Sequence, residues 1–181
     1  MEAEPADGVA EGVMLDRANT AAALKLEQFL PYRINVVASM VSQALSRIYA
    51  ERYGIGVPEW RVLVALGEHG TMTGKAVGSY SHMHKTKVSR AVALLEKRKM
   101  VMRRTNRADL REAFLSLTPA GRAIYEDMTP IALDFAKRLE DGIPAADRDA
   151  FERAIQGLTA RSSTLADEFC KAGFSKAADE G

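Results

Sequence analysis

The chain reads as mainly helical with one small β-hairpin, and three observations carry that prediction. Apolar residues recur at three- and four-residue steps toward both ends. Two extended segments, Val101 to Thr105 and Ala113 to Leu117, flank a polar turn, and the second alternates in the strand manner. Charge is the third. Residues 84 to 111 hold ten Lys or Arg against two acids, +8, whereas the 181-residue chain sums to +1 from 25 basic and 24 acidic residues, leaving −7 elsewhere. Such a basic concentration beside a helical pattern is the footprint of a polyanion ligand, most often duplex DNA.

The first 22 residues are rich in Ala, Glu, Asp and Gly without periodicity and read as a mobile arm. From Leu26 a long helix is expected. Phe29, Leu30, Ile34, Val37, Val41, Leu45, Ile48 and Tyr49 form its apolar stripe, Gly54 and Gly56 end it, and Pro31 marks a boundary or a kink near its start. Residues 23–57 are assigned to this helix. The next runs through Pro58-Glu59-Trp60-Arg61 to His69. Short helices are expected over 74–80 and 85–98. The hairpin follows, with Asn106-Arg107-Ala108-Asp109-Leu110-Arg111 at its tip. Residues 58–118 therefore form one lobe.

Thr118 and Pro119 open another helix to about Asp141, with Thr118 as N-cap and Pro130 as an interruption that bends it. After Gly142, Phe151, Ile155, Leu158, Ser162, Leu165 and Phe169 recur at four and three, a seam of coiled-coil type. The helices of 119–170 thus match the stripe of the first helix, and both suit a second subunit better than one small core. Residues 171–181 are a tail.

On the 85–98 helix, Val88, Ala91, Val92 and Leu95 share one face, which must be core. Lys85, Thr86, Lys87, Ser89 and Arg90 fall mostly elsewhere. Short hydroxyls beside long cations suit a major groove, the hydroxyls and guanidinium reaching base edges and the ammoniums neutralising phosphates. A charged face is often only a solvated face. Here a preceding short helix and a following basic hairpin complete the winged helix-turn-helix arrangement, whose second helix enters the major groove.

In these segments the chain resembles the MarR family of winged helix-turn-helix regulators, over roughly Phe29 to Phe169. The resemblance rests on FLPYRINVVAS, PEWRVLVALGEHG, KVSRAVALLEKRKMV and ADLREAFLSLTPAGR in that order. Within the last, Asp109-x-Arg111, Leu115-x-Leu117-Thr118 and Gly121 match the family's wing signature. The resemblance implies a homodimer whose dimerisation lobe is built from both chain ends, reading an inverted repeat in double-stranded DNA. It further implies that Arg111 projects into the minor groove, that Asp109 orients its guanidinium by a charge-assisted contact, and that Arg107 adds a phosphate contact. One departure stands out. Close relatives read Met-Asp-Lys before the recognition helix, and this chain reads Met83-His84-Lys85. Histidine is a poor N-cap, so the expectation is a shifted helix start or a cap from Ser81, leaving His84 to contact phosphate or base.

By the same resemblance, a small aromatic or phenolic acid is the expected effector. Tyr32, Arg33, Val36, Trp60 and Arg61 are the candidate lining, since an arginine beside aromatics suits a carboxylate on a ring. The plain alternative makes Trp60 core and places Arg33 and Arg61 in surface or intersubunit pairs. His82 and His84 do not supply the three or four convergent ligands of a zinc site, and Cys170 has no partner for a disulfide. No cofactor is expected. The sequence has no Gly-rich phosphate loop, no nucleophile elbow and no HExxH, which argues against an enzyme. The longest uncharged run, Ile34 to Ser46, is too short and polar for a membrane span, and the first residues lack a signal pattern, so a cytoplasmic protein is expected. The competing reading is an architectural DNA binder of low specificity.

Overall fold

A computed structural model describes residues 24–105 and 113–171. The chain divides into two units, residues 1–41 and 42–181, the boundary falling inside the first long helix. In the first unit a short 3-10 turn, Leu26–Gln28, precedes α1, which spans Leu30–Tyr53 and continues into the second unit. The helical pattern from Leu26 is therefore broken once. Pro31 explains the break, because it has no N–H to bond the carbonyl of Glu27 and so sits in the first turn of α1, after an extended Phe29. Pro31 is a boundary, not a kink.

The second unit contains α2 (Val57–His69), β1 (Met72–Thr73), α3 (Gly74–Ser81), α4 (Lys85–Lys97), β2 (Val101–Thr105), β3 (Ala113–Leu117), α5 (Pro119–Glu140) and α6 (Arg148–Lys171). The three strands form one antiparallel sheet in the order β1-β3-β2, with Met72 opposite Leu115 and Arg103 opposite Leu115 on the other side. The hairpin arms have the expected bounds. The strand β1 was not expected, because 2 residues are too few to display alternation.

The core gathers around α2, whose Val62, Leu63, Ala65 and Leu66 are fully buried. It meets Val77 of α3, Val88, Val92 and Leu95 of α4, Leu115 of β3 and Met128 of α5. Tyr49 and Ile55 close it from the end of α1 and the following turn. Every buried side chain among the described residues is aliphatic, aromatic or Met, so packing dominates the core.

Short polar devices fix the joints. The Glu59 carboxylate accepts the Gly56 N–H at 2.8 Å, which closes the start of α2 where glycine offers no side chain. Thr118 caps α5 as expected, its Oγ1 accepting the Gly121 N–H at 3.1 Å while donating to the Lys99 carbonyl at 2.6 Å. Gly121 has a strict reason to be glycine: a Cβ there would lie 2.0 Å from the Met100 carbonyl oxygen. The Leu-x-Leu-Thr-Pro-x-Gly run is thus a joint between sheet and helix. Pro130 does not interrupt α5, contrary to expectation. The ring removes one N–H bond, but Met128 is fully buried and Ile131 and Ala132 pack on the core on either side of it. Near the middle of α5, Asp127 accepts hydrogen bonds from Tyr53 Oη at 2.7 Å and Arg52 Nη1 at 2.9 Å. The Tyr53 bond, then the Arg52 guanidinium, hold the Asp127 carboxyl below the usual carboxylate range, and the same bond raises the Tyr53 hydroxyl.

Candidate nucleic-acid interface

Two left-handed corners set how α4 is presented. His82 ends α3 at φ 51° and ψ 39°, and the Met83 N–H reaches back to the Gly78 carbonyl at 3.0 Å. Gly78 lets the turn come close, since a Cβ would sit 3.1 Å from the Met83 carbonyl oxygen and 3.6 Å from Val88. At the far end Lys99 has φ 58°, with Lys99 N–H bonded to the Glu96 carbonyl and Met100 N–H to the Leu95 carbonyl, both 2.9 Å. That pair of bonds is the Schellman ending. It turns the chain directly into β2.

The expected shift of the α4 start does not occur. His84 itself is the N-cap: its Nδ1 accepts the Thr86 N–H at 3.3 Å. Ser81 does not take that place: its hydroxyl donates to the Val77 carbonyl at 2.6 Å inside α3, and the Thr86 N–H goes to His84. The first helical residue is Lys85, where the resemblance put it.

From that start the helical period fixes the faces. Val88, Ala91, Val92 and Leu95 are buried, whereas Lys85, Thr86, Lys87, Ser89 and Arg90 are exposed. Beside them lies a groove of about 800 Å³ between α3, α4 and the sheet, its polar lining including Lys75, Ser79, His82, His84, Lys85, Ser89 and Arg103. Among the described residues no acidic one lines it.

The basic segment is not uniform in use. Arg98 donates to the Gly54 carbonyl at 2.9 Å and to the Tyr53 carbonyl, closing the end of α1. Arg103 forks the Glu96 carboxylate through Nε and Nη2, both 3.0 Å. Composition alone counted both as part of the cationic field. That leaves Lys85, Lys87, Arg90, Lys97, Lys99 and Arg104, none of which has an acidic partner among the described residues. Arg107, Asp109 and Arg111 lie outside the described residues.

Of the effector candidates, Tyr32, Arg33 and Val36 lie on the part of α1 in the first unit, with Tyr32 and Arg33 exposed and Val36 half-buried. In the second unit Trp60 is buried and stacks on Tyr49, centroids 5.7 Å apart. Burial raises the Tyr49 hydroxyl, with Arg61 opposing. Arg61 is exposed and directs Nη1 to the Ser81 carbonyl at 3.5 Å. None of the five lines the groove beside α4. Among the described residues no three His, Cys, Asp or Glu side chains converge as a metal site, and no helix is long and apolar enough to cross a membrane.

Comparison with known proteins places this geometry. A model of the MarR family matches residues 53–112, from the end of α1 to the hairpin tip. The MarR/EmrR family transcriptional regulator of Acinetobacter sp. ADP1 superposes with TM-score 0.69 at 23% identity, covering 78% of this chain and 99% of that one. MepR of S. aureus, solved in complex with DNA, gives 0.66 at 17% identity over 74% and 98% of the two chains. BpsR of Bordetella bronchiseptica, whose DNA binding is regulated by 6-hydroxynicotinic acid, gives 0.59 at 22% identity over 70% and 98%. No curated protein sequence matches the chain.

Proposed function

We propose that this chain is a winged helix-turn-helix transcriptional regulator of the MarR family, whose model matches residues 53–112, and that it acts as a homodimeric repressor in the cytoplasm, reading an inverted repeat. One observation carries the reading. Six cations of α4 and its flanks face solvent without a described acidic partner, on the helix whose other face is core. In a dimer two such helices enter successive major grooves about 34 Å apart. Lys87, Ser89 and Arg90 make the groove contacts, with Lys85 and Thr86 beside them. Arg107 and Arg111 add the wing's contacts, Arg111 oriented by Asp109. Exposed Phe151, Ile155 and Leu158 on α6 support pairing with a second copy.

Selection of preferred duplexes from a random pool, then competition against random DNA at fixed salt, tests the reading. A regulator of this kind keeps a preference of about 10³ or more. Uniform binding with a steep salt slope is the outcome of the architectural alternative.

The effector is a small aromatic or phenolic acid, its carboxylate taken by Arg33 with Tyr32 and Val36 beside it on α1. Support comes from the ligand of BpsR, an aromatic acid, and from the arginine and aromatic side chains themselves. Titration calorimetry with benzoate-like acids is expected to give heat with wild type and less with Arg33→Ala. No heat from any such acid rejects this part.

A further inference from the structure

His84 is where the chain departs from the family pattern at the recognition helix, and it is also the residue that caps that helix. Its Nδ1 accepts the Thr86 N–H. An imidazole nitrogen accepts only when it carries no proton, so the ring that caps α4 is neutral and bears its proton on Nε2. An asparagine cap accepts through oxygen at any pH near neutrality. A histidine cap does not, because imidazole gains its second proton between about pH 8 and pH 5.

Among the described residues the His84 ring is the side chain that accepts from the first turn of α4. The described polar residues that line the groove with His84 are Lys75 and Ser79 from α3, His82 from the turn, Lys85 and Ser89 from α4, and Arg103 from β2. Among the described residues no carboxylate lines that groove, and Glu96 is engaged by Arg103. A protonated His84 therefore leaves the first turn of α4 uncapped.

We infer that neutral His84 is a positioning residue for DNA binding: its bare Nδ1 holds the first turn of α4, and protonation of the ring releases Lys85, Thr86 and Lys87 and weakens operator binding. The inference rests on the reading of α4 as the groove-entering helix. Its sign is diagnostic. An imidazole that touches phosphate strengthens binding in acid by adding charge, whereas an imidazole that caps weakens it.

The test measures affinity for the selected duplex at constant ionic strength, at about pH 7.5 and about pH 5.5, on either side of the imidazole range. Wild type is expected to weaken about three- to tenfold in acid, the factor that loss of a cap supplies. His84→Asn restores an acceptor, so it binds like wild type at the higher pH and keeps that affinity at the lower. His84→Ala is weakened at both, and His82→Asn retains the wild-type pH response. An equal pH response in wild type and His84→Asn overturns the inference, as does tightening of wild type in acid or loss of the response in His82→Asn. These outcomes leave the DNA-binding reading intact. Wild type that binds no duplex at either pH overturns both.

Discussion

The winged lobe and the terminal helix α6 belong to one unit yet resolve the same physical problem in opposite ways. In the lobe, each helix turns its apolar face onto a neighbour, and α2 alone buries five residues. In α6 no residue is buried, although its apolar positions recur as regularly. Phe151, Ile155 and Leu158 remain 50%, 44% and 37% exposed. Periodicity states that a face will be covered; it does not state by what. In the lobe the cover comes from the same chain, and in α6 the proposed cover is a second copy.

That contrast can be broken most forcefully inside the lobe. Leu63 is fully buried, so Leu63→Ala is expected to lower unfolding stability by about 2–5 kcal/mol, at every protein concentration in a denaturant titration. Gly121→Ala forces a methyl against the Met100 carbonyl and is expected to cost about 3 kcal/mol. In α6 the response should differ in kind. Ile155→Asp is expected to leave the circular dichroism spectrum largely unchanged while shifting sedimentation from dimer to monomer. A variant that stays dimeric removes α6 from the interface.

The basic segment carries a finer version of the same contrast. Arg90→Ala is expected to weaken operator binding by about 1–3 kcal/mol and to leave the thermal midpoint unchanged. Arg98→Ala should reverse this, lowering the midpoint through loss of its bonds to the Tyr53 and Gly54 carbonyls with little effect on the DNA contact. The smallest effect is expected at Asp127. Its carboxyl titrates below the usual range, so its contribution is present at neutral pH and is lost as pH falls through that lowered value. Asp127→Asn should therefore melt slightly lower than wild type at neutral pH and alike in strong acid.

Most of the lobe was legible in the residues. The stripe Val88, Ala91, Val92, Leu95 fixed the buried face of α4, and alternation fixed both hairpin arms. Thr118 announced its cap. Other features resisted for physical reasons. Strand β1 is shorter than the period that would reveal it. Arg98 looks like any surface cation because its partners lie more than forty residues away. Pro130 looked like a break, but packing on both sides outweighs one lost bond. The His84 cap depends on the tautomer and orientation of one ring, which composition does not contain. Candidate DNA contacts on α4 were legible as an exposed face; Arg107, Asp109 and Arg111 fall outside the described residues.

The central claim is that α4 from each of two copies enters the major groove of one operator. Hydroxyl-radical footprinting of the selected duplex tests it most directly. Two symmetric protected patches about one helical turn apart are expected, both lost together when Ile155→Asp disrupts pairing. A single patch, or even protection along the whole duplex, contradicts it.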